Sequence, residues 1–134
     1  MATINHGTQF FILQNDSRVK VGCLRAVGEV KMERDMVDVT TLDAPGGARM
    51  YAPGLCSAAD LVIDGFLDKD QSGQALLREL FSTGETAEFE IAYPDGECCT
   101  FSALIRAVSM GGGEVDAVSR FSCTLKMTGE VHLA

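Results

Sequence analysis

Basic side chains are scarce in this chain. Eleven lysines and arginines face 19 aspartates and glutamates, for a formal net charge of −8 over 134 residues. A protein that wraps nucleic acid needs clustered cations to meet the phosphates, so that mode of binding is excluded. Long apolar runs are missing too, and none approaches the roughly 18 residues that a membrane-crossing helix requires. The opening residues, MATINHGTQFF, lack both the basic start and the apolar stretch of a secretory signal. The expectation is a chain made and kept in the cytosol. Five cysteines, an odd number, suit such a reducing compartment. Cys98 and Cys99 are neighbours, and neighbours on a strand point to opposite faces, which disfavours a shared metal or a disulfide. All five read as small buried hydrophobes.

Motifs for chemistry are absent as well. His6 and His132 lie near opposite ends, without metal-ligand spacing to any cysteine. HExxH, GxSxG, GxGxxG and a Walker loop do not occur. Asp64, Asp68 and Asp70 suggest a calcium loop only until its twelfth position, where the required glutamate is missing. No catalytic residue, cofactor or metal is expected.

What the sequence does contain is alternation. TQFFILQ (8–14), RVKVGCL (18–24), GEVKMER (28–34), MVDVTTL (36–42), ADLVIDGFL (59–67), TAEFEIAY (86–93), CTFSALIRAV (99–108) and VSRFSCTLKM (118–127) read as strands. NDS, PDG and GGG mark turns between them. Seven or eight strands and one helix make a mainly β chain, expected to form one domain over 1–134.

The helix interrupts the alternation. DKDQSGQALLRELFSTGE places Leu76, Leu77, Leu80 and Phe81 on one face, over about 72–83. Asp70 or Ser72 is the expected N-cap and Gly84 the left-handed stop. A helix this short is unstable alone in water, so these four residues must pack on a sheet. Residues 43–58, DAPGGARMYAPGLCSA, have two prolines and no period. They read as a long irregular loop carrying an exposed apolar group at Met50, Tyr51, Pro53 and Leu55, a segment that folds onto a partner.

The ordered set of these features resembles the major tail tube proteins of long-tailed, lambda-like phages and of related gene-transfer-agent tails. The likeness runs over roughly 28–131: a DVT strand and glycine-rich loop, a GQALL helix ending in FSTGE, an alternating strand, a PDG turn, a return strand, and a closing strand like RFSCTLKMTGEV. It implies a β-sandwich or half-barrel flanked by one helix. Six copies join their sheets into a ring, and rings stack into a tube for DNA ejection. The helix seals each subunit away from the lumen. The 43–58 loop, with Arg49, Met50, Tyr51, Pro53 and Leu55, reaches an adjacent subunit or ring. Partners implied are the chain itself, a tape-measure protein, tail-tip and terminator proteins, and passing double-stranded DNA without specific binding. Membrane insertion is not implied. The location implied is the virion tail, assembled in host cytoplasm.

Within that reading the acid gains a use. Residues 35–97 hold thirteen acidic and three basic side chains. A carboxylate-biased lumen repels the duplex over about a Debye length, roughly 8 Å. Asp38, Asp60, Asp64, Glu88 and Glu90, polar alternates on predicted strands, are the lumen candidates. Three other readings stay open. One is the inner-tube subunit of a contractile tail or type VI secretion-like system. Another is a monomeric β-barrel module with a closed apolar cavity for a ligand, and the last is a cysteine-dependent enzyme.

Overall fold

The computed structural model describes residues 4–133. Among them, nine strands and one α-helix follow one another. They are β1 (Gln9–Gln14), β2 (Ser17–Lys20), β3 (Leu24–Val27), β4 (Met32–Asp38), β5 (Tyr51–Ala58), β6 (Leu61–Phe66), α1 (Ser72–Thr83), β7 (Ala87–Ala92), β8 (Cys98–Gly111) and β9 (Arg120–Leu133). Seven strands form an antiparallel sheet in the order β2-β1-β7-β8-β9-β6-β3, while β4 and β5 form a separate two-stranded ribbon. The architecture is mainly β with one helix.

Alternation in the sequence becomes two faces of the sheet. Phe10 and Ile12 of β1, Leu61 and Ile63 of β6, and Phe89 and Ile91 of β7 point to one side, with Phe101 of β8 and Phe121 of β9. All are buried. The rings of Phe10, Phe89 and Phe101 stack in sequence, with centroids 5.6 and 5.8 Å apart. They fill the interior that a ligand-binding barrel would keep open.

The sheet is open but strongly curled, for a covalent reason. Its two edge strands, β2 and β3, are consecutive in the chain and only Val21, Gly22 and Cys23 separate them. A link that short spans about 13 Å at most. The edges therefore stand close together without pairing, and the N-terminus of α1 fills the corner between them. Gln74, fully buried, bonds three backbone groups there: its Nε2 donates to Gly22 O (3.1 Å) and Phe66 O (2.9 Å), and its Oε1 accepts from Asp68 N (3.0 Å). Gly73 is required by closeness, since a Cβ would stand 2.3 Å from Lys20 O.

The helix corrects two expectations. Its N-cap is Gln71, whose side chain accepts from Gln74 N at 2.9 Å, in place of Asp70 or Ser72. Gln71 is held for that task because its Nε2 also donates to Lys20 O. Of the four packing residues, Leu77 and Leu80 are buried and Leu76 half-buried, but Phe81 is 48% exposed. The buried stripe leans toward the N-terminal turn, where Gly73 and Gln74 make the close contacts, and the last turn keeps Phe81 outside. Gly84 stops the helix as expected, at φ +72°, its N–H bonded to Leu80 O.

Strand boundaries shift where the backbone breaks. The 18–24 run divides into β2 and β3 because Cys23 adopts φ +62°. The expected loop 43–58 is half strand: β5 occupies Tyr51–Ala58 and pairs with β4 from Met32↔Ala58 to Asp38↔Tyr51. Pro53 hid it. A strand with both long edges outside a larger sheet tolerates the missing N–H, and the register shift between Arg34 and Met36 lies beside it. Of that span only 43–50 lies outside the strand, and 39–42, expected as the end of a strand, joins it as loop; Thr40 braces the segment, Met50 N donating to its hydroxyl at 2.7 Å.

Candidate assembly surface

Two surfaces stand out, and neither is a catalytic pocket. The first is the β4–β5 ribbon. All seven residues of β4 are exposed, as are most of β5. Among them are large apolar side chains: Met36 at 62%, Tyr51 at 57% and Leu55 at 83% exposure, with Val37 and Met50 about half exposed. Solvated hairpins seldom display so many together, and a two-stranded ribbon is marginal by itself in water. Of the loop residues expected to reach a partner, Tyr51, Pro53 and Leu55 lie in β5, and Arg49 and Met50 immediately precede it. Arg49 pairs with Asp38 at 3.0 Å. The Thr40 hydroxyl and N–H hold the Asp38 carboxyl below its ordinary range, with Arg49 assisting. These contacts fix the base of the 39–50 loop.

The second surface is the face of the seven-stranded sheet opposite the core. Four of the five acidic candidates fall on it: Glu88 and Glu90 from β7, Asp64 from β6, and Asp60 just before β6. Asp38 does not; it stands on the ribbon. The face also carries Arg18, Lys20, Arg106, Arg120 and Lys126, so its charge is nearly balanced. The cations are largely held by the acids. Arg18 bonds Glu90 at 3.1 Å and lies over the Phe11 ring, 4.0 Å from its centroid. Asp60 binds Arg106 and stands 3.7 Å from Lys126. Between the charges run Thr100, Ser102, Ser122, Thr124 and Thr128. These cations went unnoticed in the sequence because each pair joins distant strands, Arg18 and Glu90 being 72 residues apart.

The cysteines divide as adjacency requires. Cys99 is buried, while Cys98 looks to the polar face beside Glu90, whose carboxylate raises the thiol's pKa, with burial adding to it. Cys23 and Cys56 are exposed, contrary to the expectation that all five are buried. Among the described residues, no group of three or more His, Cys, Asp or Glu side chains is placed to hold a metal ion. No described helix is long and apolar enough to cross a membrane.

The lambda phage tail tube protein family model matches residues 7–134. The chain belongs to that family. As a tail tube protein it is a structural subunit and not an enzyme. No curated protein matches it. Among solved structures, it is similar to a chain from the tail of an empty gene transfer agent particle refined with C6 symmetry. That match has TM-score 0.79 at 20% identity over 99% of each chain. The SPP1 tail tube gives TM-score 0.70 at 13% identity, over 96% of this chain and 77% of that one. A chain of the anti-feeding prophage baseplate gives 0.78 at 10%, over 100% and 96%. At such identities the likeness is one of fold.

Proposed function

We propose that six copies of this tail tube protein close into a ring, and that rings stack into the tube of a long phage or gene-transfer-agent tail through which double-stranded DNA leaves. The observation that carries this reading is the bare ribbon. It has two unpaired edges and a row of exposed apolar side chains that nothing within the described chain covers. A second copy, offering strand edges of its own, completes both. The contact is head to tail around the ring, so each copy gives its ribbon to one neighbour and receives the ribbon of the other. Arg49, Met50, Tyr51, Pro53 and Leu55 reach across that contact.

The polar face of the seven-stranded sheet lines the bore, with the helix on the far side of the core. Asp60, Asp64, Glu88 and Glu90 then face passing DNA. Their role is wider than repulsion, because Asp60 and Glu90 also occupy the cations that would otherwise seize phosphates. Firm DNA binding needs several free cations acting together. A face of hydroxyls and paired charges offers few, and the duplex slides. A tape-measure protein, a terminator and tip proteins complete the tail, which is assembled in host cytoplasm and ends in the virion.

Negative-stain microscopy of concentrated purified protein tests the reading. Stacked annuli are the expected result. Uniformly monomeric particles at every concentration would reject it.

A further inference from the structure

Not every cation on the polar face is held by an acid. Arg25 of β3 and Arg120 of β9 are exposed and in no ion pair among the described residues. The fold brings both to one aromatic ring. Arg120 stands directly opposite Phe66 in the β6–β9 ladder. Arg25 sits at the break in register between Leu24 and Ala26, and its guanidinium lies 5.7 Å from the Phe66 ring centroid. That is within reach of a cation–π contact, which orients the guanidinium while leaving its N–H groups free to bond.

The ring is itself uncovered. Phe66 is 38% exposed, and Val62, on the same face of the same strand, is 47% exposed. Between them stands Asp64, whose Oδ1 is buried and has no hydrogen-bond partner among the described residues. The carboxyl torsion of aspartate is soft, so a small rotation offers that oxygen to an incoming donor. Two unengaged arginines, an apolar strip and an acceptor short of a donor share one patch.

Those features select a ligand. Carboxylates match the planar fork of arginine in charge-assisted bonds. Apolar side chains cover Phe66 and Val62, and a backbone N–H satisfies Asp64. A polypeptide bearing both carboxylates and aliphatic side chains carries all three. A nucleic-acid duplex does not, because its outer backbone presents phosphates, which Asp64 repels and which bring it no donor.

We propose that Arg25, Phe66 and Arg120 form a binding site for an acidic, partly apolar polypeptide, with Asp64 accepting a backbone N–H from it. The ring reading above bears only on where the site faces: six copies present six such sites to the bore.

Fluorescence anisotropy of dilute monomer at physiological salt tests the site, with a labelled peptide of alternating glutamate and leucine as the probe. The net charge of −8 opposes such a peptide at long range, so saturable binding marks a local site. Arg25→Gln and Arg120→Gln should each weaken it by about tenfold, the loss of one charge-assisted contact. Both should flatten its salt dependence, whereas Phe66→Ala should weaken binding severalfold and leave that dependence unchanged. Arg78→Gln, at an arginine outside the cluster, should change nothing. Absence of saturable binding, or binding indifferent to Arg25 and Arg120, overturns the site. So does duplex DNA that binds more tightly than the peptide and is lost in the same variants. If Phe66→Ala does not fold, the two arginine variants decide. None of these outcomes touches assembly, which negative-stain microscopy decides separately.

Discussion

Replacing Gln74 by leucine is a sharp test of how the curled sheet is held. Gln74 lies at the one corner where the sheet's two edges and the helix meet, and it is fully buried. Leucine keeps about the same volume, so the change isolates the amide. Three backbone groups lose their partner: the carbonyls of Gly22 and Phe66 and the N–H of Asp68. A fully buried group left without a bond costs about 1–3 kcal/mol. Gly22, Phe66 and Asp68 are each partly exposed, so water recovers much of this. About 1 kcal/mol apiece remains, or about 3 kcal/mol together. With a urea dependence of about 1–3 kcal/mol per molar for a chain of this size, the unfolding midpoint should fall by about 1–3 M. The measurement is equilibrium urea unfolding of dilute protein followed by far-ultraviolet circular dichroism. A drop below about 0.3 M would mean that the amide does not clamp the corner, and the account of the curl would fail.

Four further outcomes are expected. Gly73→Ala raises intrinsic helix propensity by about 1 kcal/mol, yet should destabilise the protein in the same urea assay, because the new Cβ meets Lys20 O at 2.3 Å and Val21 Cα at 2.7 Å. Serine at Met50, Tyr51 and Leu55 together should leave the urea midpoint of the monomer nearly unchanged while abolishing tubes in the microscope; intact assembly would remove the ribbon from the joint. Asp60→Asn releases Arg106 and Lys126, so assembled variant tubes should cosediment with double-stranded DNA at low salt and lose it as salt rises, where unaltered tubes do not; equal behaviour would show that Asp60 masks nothing. Burial pushes the Cys123 thiol up to about 12, above an unfolded value of about 8.5. Its contribution is therefore complete below about pH 8.5 and lost as pH climbs toward 12, so Cys123→Ala should flatten the fall in urea midpoint between pH 8 and 11.

Strands that cover the core were legible because one face of each is buried and the alternation is forced. Phe89 and Ile91 against Glu88 and Glu90 is such a case, and Phe121 through Met127 is another. The helix was legible from its leucines and from Gly84. The ribbon was not, because its pattern answers to no core within the chain: β5 mixes Pro53 and Gly54 with Tyr51 and Leu55, one face is exposed throughout, and the other is only half-buried at Ala52, Gly54 and Ala58. Gln74 escaped notice for a related reason. A polar residue reads as surface unless the backbone groups that satisfy it are known, and those lie 52, 8 and 6 residues away. The same holds for the arginines on the polar face. Side-chain alternation tells which face a residue is on, while its ion partner depends on strand order.

The molecule thus divides into a part that folds by itself and a part that waits. The seven-stranded sheet and helix close over their own core. The ribbon buries little, and its stability depends on what lies against it. Met36, Tyr51 and Leu55 are on average about two-thirds exposed, so covering the exposed part in a contact yields about 1–2 kcal/mol each, or roughly 3–6 kcal/mol. Bringing two free proteins together costs about 4–15 kcal/mol in lost motion. One such contact is therefore marginal, and a net charge of −8 per copy opposes it further. Closing a ring changes the balance, because the last copy makes two contacts for a single loss of freedom. A dimer of this protein should be fleeting while a closed ring persists. That is the behaviour a tail tube needs if its subunits are to stay apart in solution and then commit together.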